Sequence, residues 1–386
     1  MSFYITVNRE PKMYQLTFDD IMNGIDYASI DRASNNASNT ITWSVERIKP
    51  ELSMRTDFAA MESTLNAFIE KYRWLIEIGD KSSLYRSFKI PKRSGGLRQI
   101  DAPNDELKMA LYDLKFILEK KFYMTHHTSA FAYVKGRSTL DAVKRHQQNK
   151  SRWFLKTDMK NFFPSISPAF LMDMLCRTFP FCEFVSVNPD NRATLEKALS
   201  LCFLNGGLPQ GTPTSPMLTN AIMIPIDYEI NKMCHKHVPH LCYTRYADDI
   251  LISSEYSFNW TEVRDNLISI LNSFNAPFTL HPTKTRYGSS SGRNWNLGLM
   301  LNAENKITIG HEKKKVFKAM VFQFMADYRK GNTWCLEDVQ HLMGLVSYYR
   351  MVEKDSINEI LAFYSQKFNK NVEDAIKESM SISSAA

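Results

Sequence analysis

Leu241-Cys242-Tyr243-Thr244-Arg245-Tyr246-Ala247-Asp248-Asp249-Ile250-Leu251-Ile252-Ser253 is the stretch on which the reading of this chain turns. Its pattern predicts two apolar strands, 241–246 and 250–253, with consecutive carboxylates at their junction. Adjacent side chains on a regular strand face opposite ways, so Asp248 and Asp249 converge only if the chain turns sharply between the strands. Mg²⁺ takes few protein carboxylates and leaves positions open for water and phosphate oxygens. An isolated Asp-Asp turn is more often simply solvated, so a second acidic element has to be found.

That element lies far upstream, in Trp153-Phe154-Leu155-Lys156-Thr157-Asp158-Met159-Lys160-Asn161-Phe162-Phe163-Pro164. The apolar run predicts a strand over 153–157 that delivers Asp158 at its carboxyl end. Between the acidic strands stands Gly206-Gly207-Leu208-Pro209-Gln210-Gly211-Thr212-Pro213-Thr214-Ser215-Pro216. A backbone of this kind can lie close to a planar base or a phosphate. Ser215 reads as an N-cap with Pro216 at the first helical position, a signal that Ser167-Pro168 also carries.

Further out, Phe88 to Pro103 reads as two short strands around a basic turn holding Gly95-Gly96, and a helix is predicted over 105–122. Val263, Leu267, Ile270, Leu271 and Phe274 form an amphipathic face. Three further stripes follow: Val316, Phe317, Met320, Val321 and Phe324, then Val339, Leu342, Met343 and Val346, then Ile357, Ile360, Leu361 and Tyr364. They predict a small helical bundle. At the other end, Thr17-x-x-Asp20 with Phe18, Ile21, Met22 and Ile25, and later Met61, Leu65, Phe68, Ile69 and Tyr72, predict helices on either side of a polar loop over 32–40.

The 386 residues are 44% apolar and carry a net charge of +7, which allows a polyanionic partner without demanding one. No apolar run approaches the ~18 residues of a membrane span, and the N-terminus lacks a basic segment followed by an apolar one. Six scattered cysteines do not make a disulfide framework. A soluble protein of a reducing compartment is expected. Cys234-His235-Lys236-His237-Val238-Pro239-His240-Leu241-Cys242 gathers soft ligands but lacks paired Cys-x₂-Cys spacing, which argues against structural zinc.

Taken together, the segments around Asp158, Gln210 and Asp248-Asp249 resemble, in order and spacing, the palm motifs of reverse transcriptases. The resemblance is greatest to the bacterial retron and group II intron lineage, and it covers about residues 84–310. It implies an α+β right-hand polymerase with fingers, a palm built on an antiparallel sheet plus helices, and a helical thumb. The expected division is a helical N-terminal extension over 1–83, fingers and palm over 84–310, a thumb over 311–370 and a C-terminal tail over 371–386.

The resemblance makes Asp158, Asp248 and Asp249 the catalytic carboxylates and the ligands of two Mg²⁺ ions, for which Mn²⁺ could substitute. Gln210 would line the incoming nucleotide, and Phe163 is similar to the family's aromatic gate beneath the sugar. A flat ring there leaves no room for a 2′-hydroxyl, and RNA-dependent RNA polymerases usually carry a second aspartate at that place, which speaks against RNA synthesis. Lys89, Lys92 and Arg98 would offer a cationic fork to the triphosphate. Lys284 matches the lysine that could assist pyrophosphate departure. Arg137 and Gly298 match template and primer contacts, and Lys313, Lys314 and Lys315 could track phosphates.

The implied activity is RNA-directed DNA synthesis from deoxynucleoside triphosphates, on a noncoding RNA and in the bacterial cytoplasm. Asn296-Leu297-Gly298 stands where retron enzymes usually carry Val-Thr-Gly, and Ser215-Pro216 departs from diversity-generating elements. That combination points to a defence-associated enzyme. Residues 1–83 could grip the RNA or mediate self-association. The alternatives are a DNA-templated or template-independent polymerase, and an RNA-binding scaffold without chemistry.

Overall fold

The computed structural model describes residues 3–7, 10–14, 57–91, 95–290 and 295–383. They fall into two units. The first takes residues 1–137, 156–250 and 259–285, and the second takes 138–155, 251–258 and 286–386.

The first unit begins with an antiparallel hairpin of β1 (Phe3–Val7) and β2 (Glu10–Tyr14). This hairpin adds strands to the helical extension expected over 1–83: Phe3-Tyr4-Ile5-Thr6-Val7 is wholly aromatic or β-branched, the composition that favours a strand. The helix expected over 17–25 and the loop over 32–40 lie outside the described residues. Helix α1 (Phe58–Lys71) is capped by Asp57 and buries Met61, Leu65, Phe68 and Ile69, the stripe read from the sequence. The short α2 (Arg73–Ile76) follows.

The basic hairpin forms from β3 (Tyr85–Pro91) and β4 (Leu97–Pro103). Helix α3 (Asp105–Lys120) opens on the Asn104 cap and buries Leu107, Leu111, Leu114 and Leu118. Just beyond it, Phe122 stacks on Phe181 at 5.2 Å and meets Phe184 edge-on. Helix α4 (Thr139–Gln148) belongs to the second unit and starts with a Ser138–Asp141 capping box.

The main sheet has the order β6-β7-β5-β8, with β9 also on β5. Its strands are β5 (Trp153–Lys160), β6 (Cys242–Tyr246), β7 (Asp249–Ser254), β8 (Thr279–Leu280) and β9 (Arg286–Ser289). Strand β5 runs through Asp158 instead of ending there, because Met159 and Lys160 go on to pair with Leu280 and Thr279. The helices of this unit are α5 (Pro168–Leu175), α6 (Phe181–Val187), α7 (Asp190–Leu199), α8 (Ser215–Ile222), α9 (Ile224–Lys236) and α10 (Trp260–Ser273). Ser167 caps α5 as expected. Ser215 does not cap α8: it is the first helical residue, and its hydroxyl pairs with that of Thr212 at 2.7 Å.

The second unit carries a small sheet of β10 (Trp295–Asn296), β11 (Leu299–Leu301) and β12 (Ile307–Thr308). Four helices follow: α11 (His311–Arg329), α12 (Leu336–Val352), α13 (Lys354–Phe368) and α14 (Val372–Ser383). Their core gathers Phe317, Val321, Phe324, Leu342, Val346, Ile357 and Leu361. Val372, Ala375 and Ile376 are buried in the same core, so the expected tail over 371–386 is instead a fourth bundle helix through Ser383. Its apolar positions, three and four apart, form a short helical stripe that was passed over in the sequence. Among the described residues no helix is long and apolar enough to cross a membrane.

Candidate active site

The hairpin between β6 and β7 turns at Ala247, whose φ of +57° lies in the left-handed region. A buried ionic network holds it there. Arg245, wholly inaccessible, reaches Asp227 of α9 through Nε at 2.9 Å and Nη2 at 2.8 Å. Its Nη1 donates to the Ala247 carbonyl at 3.1 Å, and the Tyr243 hydroxyl donates to Asp227 at 2.6 Å. Nη2 also reaches Asn220 Oδ1, while Asn220 Nδ2 donates to the Ala132 carbonyl at 2.9 Å. A buried charge is tolerated only when paired and hydrogen-bonded in this way. This network escaped the sequence reading. Its signal was an aspartate on the apolar face of α9, beside Ile226 and Ile230.

Asp158 is fixed by its own main chain: its carbonyl accepts from His281 N at 2.7 Å, and the next amide, Met159 N, donates to the Asp248 carbonyl at 3.0 Å. That last bond ties β5 directly to the acidic turn. Burial pushes the Asp248 carboxyl up to about 6, and the neighbouring charges of Asp158 and Asp249 add to the shift. Asp249 is raised as well, by burial first, against the opposing pull of Lys156. The three carboxylates therefore share one electrostatic field although they lie far apart in the chain.

Two lysines answer that charge. Lys284 Nζ stands 3.0 Å from both Asp158 oxygens, and Lys156 Nζ is 3.4 Å from Asp249 Oδ1. The donor set fits magnesium, since carboxylate oxygens are the hard ligands it takes and their charge is in excess. Among the described residues, however, no group of three Asp, Glu, His or Cys side chains is gathered as around an ion. In this arrangement Lys284 and Lys156 are the partners of Asp158 and Asp249.

The Gly-rich loop closes against this acidic strand. Leu208 N donates to the Phe163 carbonyl at 3.2 Å, and a Cβ on Gly207 would sit 2.1 Å from the Pro164 carbonyl oxygen. Only glycine fits there. On the other side, the Gln210 carbonyl accepts from Asp101 N of β4 at 2.8 Å. Gly211, at φ +128°, would bring a Cβ within 2.9 Å of the Asp101 carbonyl oxygen. Phe163 is buried, with Phe162 at 5.5 Å and Tyr133 at 6.4 Å, both edge-on.

The β3–β4 register pairs Lys89 with Gln99 and Ile90 with Arg98. Consecutive positions alternate faces, so Lys89 and Arg98 lie on opposite sides of the ribbon and do not form one fork. Lys92 lies outside the described residues. Arg137 donates from Nη1 to the carbonyls of Thr128 at 2.9 Å and Ala130 at 2.7 Å, and lies over the Phe131 ring, so its guanidinium holds a loop of its own unit. In the second unit, Gly298 forms the β10–β11 turn together with Leu297, both at positive φ. Lys313 donates to the Gly298 carbonyl, Lys314 pairs with Glu353 at 2.6 Å, and Lys315 is exposed. In the segment considered for zinc, the His235 and His240 rings lie 4.9 Å apart and Cys234 and Cys242 are buried.

The sequence profile of the family described as "Reverse transcriptase (RNA-dependent DNA polymerase)" matches residues 90–318. The chain belongs to the reverse transcriptase family. It is 29% identical over 300 residues to the retron Ec83 reverse transcriptase of Escherichia coli, covering 75% of this chain and 89% of that one. It is 30% identical over 273 residues to the retron Mx162 reverse transcriptase of Myxococcus xanthus, covering 64% of this chain and 53% of that one. Among solved structures, apo telomerase from Candida tropicalis is similar at a TM-score of 0.43 and 14% identity, covering 79% of this chain and 63% of that chain. Membership of this family carries the α+β right-hand polymerase fold and RNA-directed DNA polymerase activity, and the relatives it resembles are bacterial retron enzymes. Asn296-Leu297-Gly298 does not separate it from the retron enzymes.

Proposed function

We propose that this reverse transcriptase makes cDNA by two-metal nucleotidyl transfer on a structured noncoding RNA, within a bacterial anti-phage defence system. The observation that supports the chemistry is the bond from Met159 N to the Asp248 carbonyl at 3.0 Å, which sets the strand of Asp158 against the β6–β7 turn of Asp248 and Asp249, where burial first and the neighbouring carboxylates second raise Asp248 to about 6. When bound, two Mg²⁺ ions would supply activation of the primer 3′-hydroxyl and charge stabilisation of the departing pyrophosphate. Asp158, Asp248 and Asp249 would hold them. Phe163 beneath the sugar would exclude a 2′-hydroxyl, Arg98 would meet the triphosphate, and the Gly207–Gly211 loop would support the base. Lys284 would deliver a proton to the pyrophosphate. The RNA partner is proposed from the similarity to retron reverse transcriptases, and the defence role by analogy within the bacterial members of the family.

Primer extension on an RNA template, on a DNA template and without template tests this reading. The expected result is extension on RNA with Mg²⁺ that Asp248→Asn abolishes while the protein stays folded. Equal extension without template, or undiminished extension by the variant, would overturn it. Sequencing the nucleic acid that co-purifies with the protein tests the partner: one structured RNA joined to cDNA is expected, and a random transcript population refutes it.

A further inference from the structure

Tyr133 combines three properties that rarely meet. It is a bulky residue in the left-handed region, at φ +60°. It is 58% exposed, which gives no packing reason for that conformation. Its ring stands edge-on to Phe163 at 6.4 Å. A side chain of this size at positive φ costs of order 1–3 kcal/mol and persists where the surroundings over-determine it.

The surroundings do so here. On the N-terminal side, Phe131 N donates to the Arg245 carbonyl at 2.9 Å, and the Ala132 carbonyl accepts from Asn220 Nδ2 at 2.9 Å. On the C-terminal side, Arg137 clasps the carbonyls of Thr128 and Ala130. The network that sets the Asp248 turn therefore also sets the backbone that presents Tyr133. Electrostatics place the phenol in the same neighbourhood: burial of its hydroxyl and the Asp248 charge raise it, and Arg98 lowers it.

Phe163 is held by aromatic neighbours. Phe162 abuts it at 5.5 Å and is itself buttressed by Phe278 at 5.1 Å. On another flank the Tyr133 ring meets it edge-on at 6.4 Å. An aromatic gate discriminates only while it cannot tip away from the incoming sugar, since rejecting one hydroxyl requires that the displaced volume stay filled. We infer that Tyr133 is a positioning residue for sugar selection, a strained outer stop that keeps the Phe163 ring upright. This rests on the reading of Phe163 as the sugar gate.

The experiment measures kcat/KM for deoxy- and ribonucleoside triphosphates on one RNA template, with the full chain. Phe163→Ala tests the underlying reading and should lower the deoxy-to-ribo ratio about a hundredfold. Tyr133→Ala should lower the ratio about tenfold, chiefly through a gain in ribonucleotide kcat/KM, while Tyr133→Phe keeps it. Tyr133→Gly should lose discrimination as Tyr133→Ala does, yet melt no lower than the parent, because glycine relieves the positive-φ strain. In the Phe163→Ala background, Tyr133→Ala should have no further effect on the ratio. A ratio unchanged in Tyr133→Ala while Phe163→Ala relaxes it overturns the inference and leaves the gate reading intact. A ratio unchanged in Phe163→Ala overturns both.

Discussion

Lys284 holds its ammonium 3.0 Å from each carboxylate oxygen of Asp158, across more than a hundred residues of intervening chain. Asp158 is largely shielded while half of the lysine side chain is in water, so the pair is a hinge-like counter-ion and not a locked structural bridge. The ammonium occupies space that a cation bound to Asp158 would claim. Replacing it should separate two effects that usually run together. In Lys284→Gln, Mn²⁺ titration followed by electron paramagnetic resonance should show tighter binding to the free protein, because Asp158 no longer has a resident counter-charge. Single-turnover extension should slow by roughly a hundredfold if Lys284 is the proton donor proposed for pyrophosphate. Unchanged metal affinity with unchanged rate would remove Lys284 from the site.

The Asp227–Arg245 pair predicts an asymmetry between breaking and replacing a buried ion pair. Asp227→Ala strands a fully buried guanidinium and should cost about 3–5 kcal/mol in denaturant unfolding. Asp227→Leu with Arg245→Met removes both charges and should recover most of that loss. Activity should not return with it, since no group then donates to the Ala247 carbonyl that shapes the Asp248 turn. A double variant that is both stable and fully active would show that the network serves stability alone.

The elements that carry the three aspartates were legible in the sequence because their signals are short and local. Asp248-Asp249 needed only a turn between two apolar runs, and Asp158 only a strand to carry it. What could not be read was pairing over distance. Arg245 looks like an ordinary charge within a strand, and nothing local says that Asp227, Asn220 and the Ala132 carbonyl will surround it. Lys89 and Arg98 looked like one cationic fork because a sequence shows spacing and not register. One residue of offset across the hairpin put them on opposite faces. The helix over 372–383 has few apolar positions, and the burial of Val372 and Ile376 depends on three helices that precede it.

That last helix gives a stability prediction. Ile376 is buried in the core shared by α11, α12 and α13, so Ile376→Ala should cost about 2–4 kcal/mol. Ile376→Asp should detach α14, visible as lost hydrogen-exchange protection over 372–383. An exchange profile identical to the parent would mean that the helix docks without its apolar face.

His146 sets a pH dependence in the same unit. Its ring nitrogen lies 2.5 Å from the Ser253 hydroxyl, and Ser253 in turn meets Ser151 at 2.6 Å. Burial, with a smaller push from Arg145, lowers its pKa to about 3 from the 6.5 of an unfolded histidine. Between those values the unfolded chain binds a proton that the folded chain refuses, so stability is complete above about pH 6.5 and falls as the pH is lowered. The slope should approach 1.4 kcal/mol per pH unit, roughly one proton's worth. Denaturant midpoints between pH 7.5 and 5 would measure it, and His146→Gln, which cannot take up the proton, should flatten the curve. A variant as acid-sensitive as the parent would show that other groups control acid unfolding.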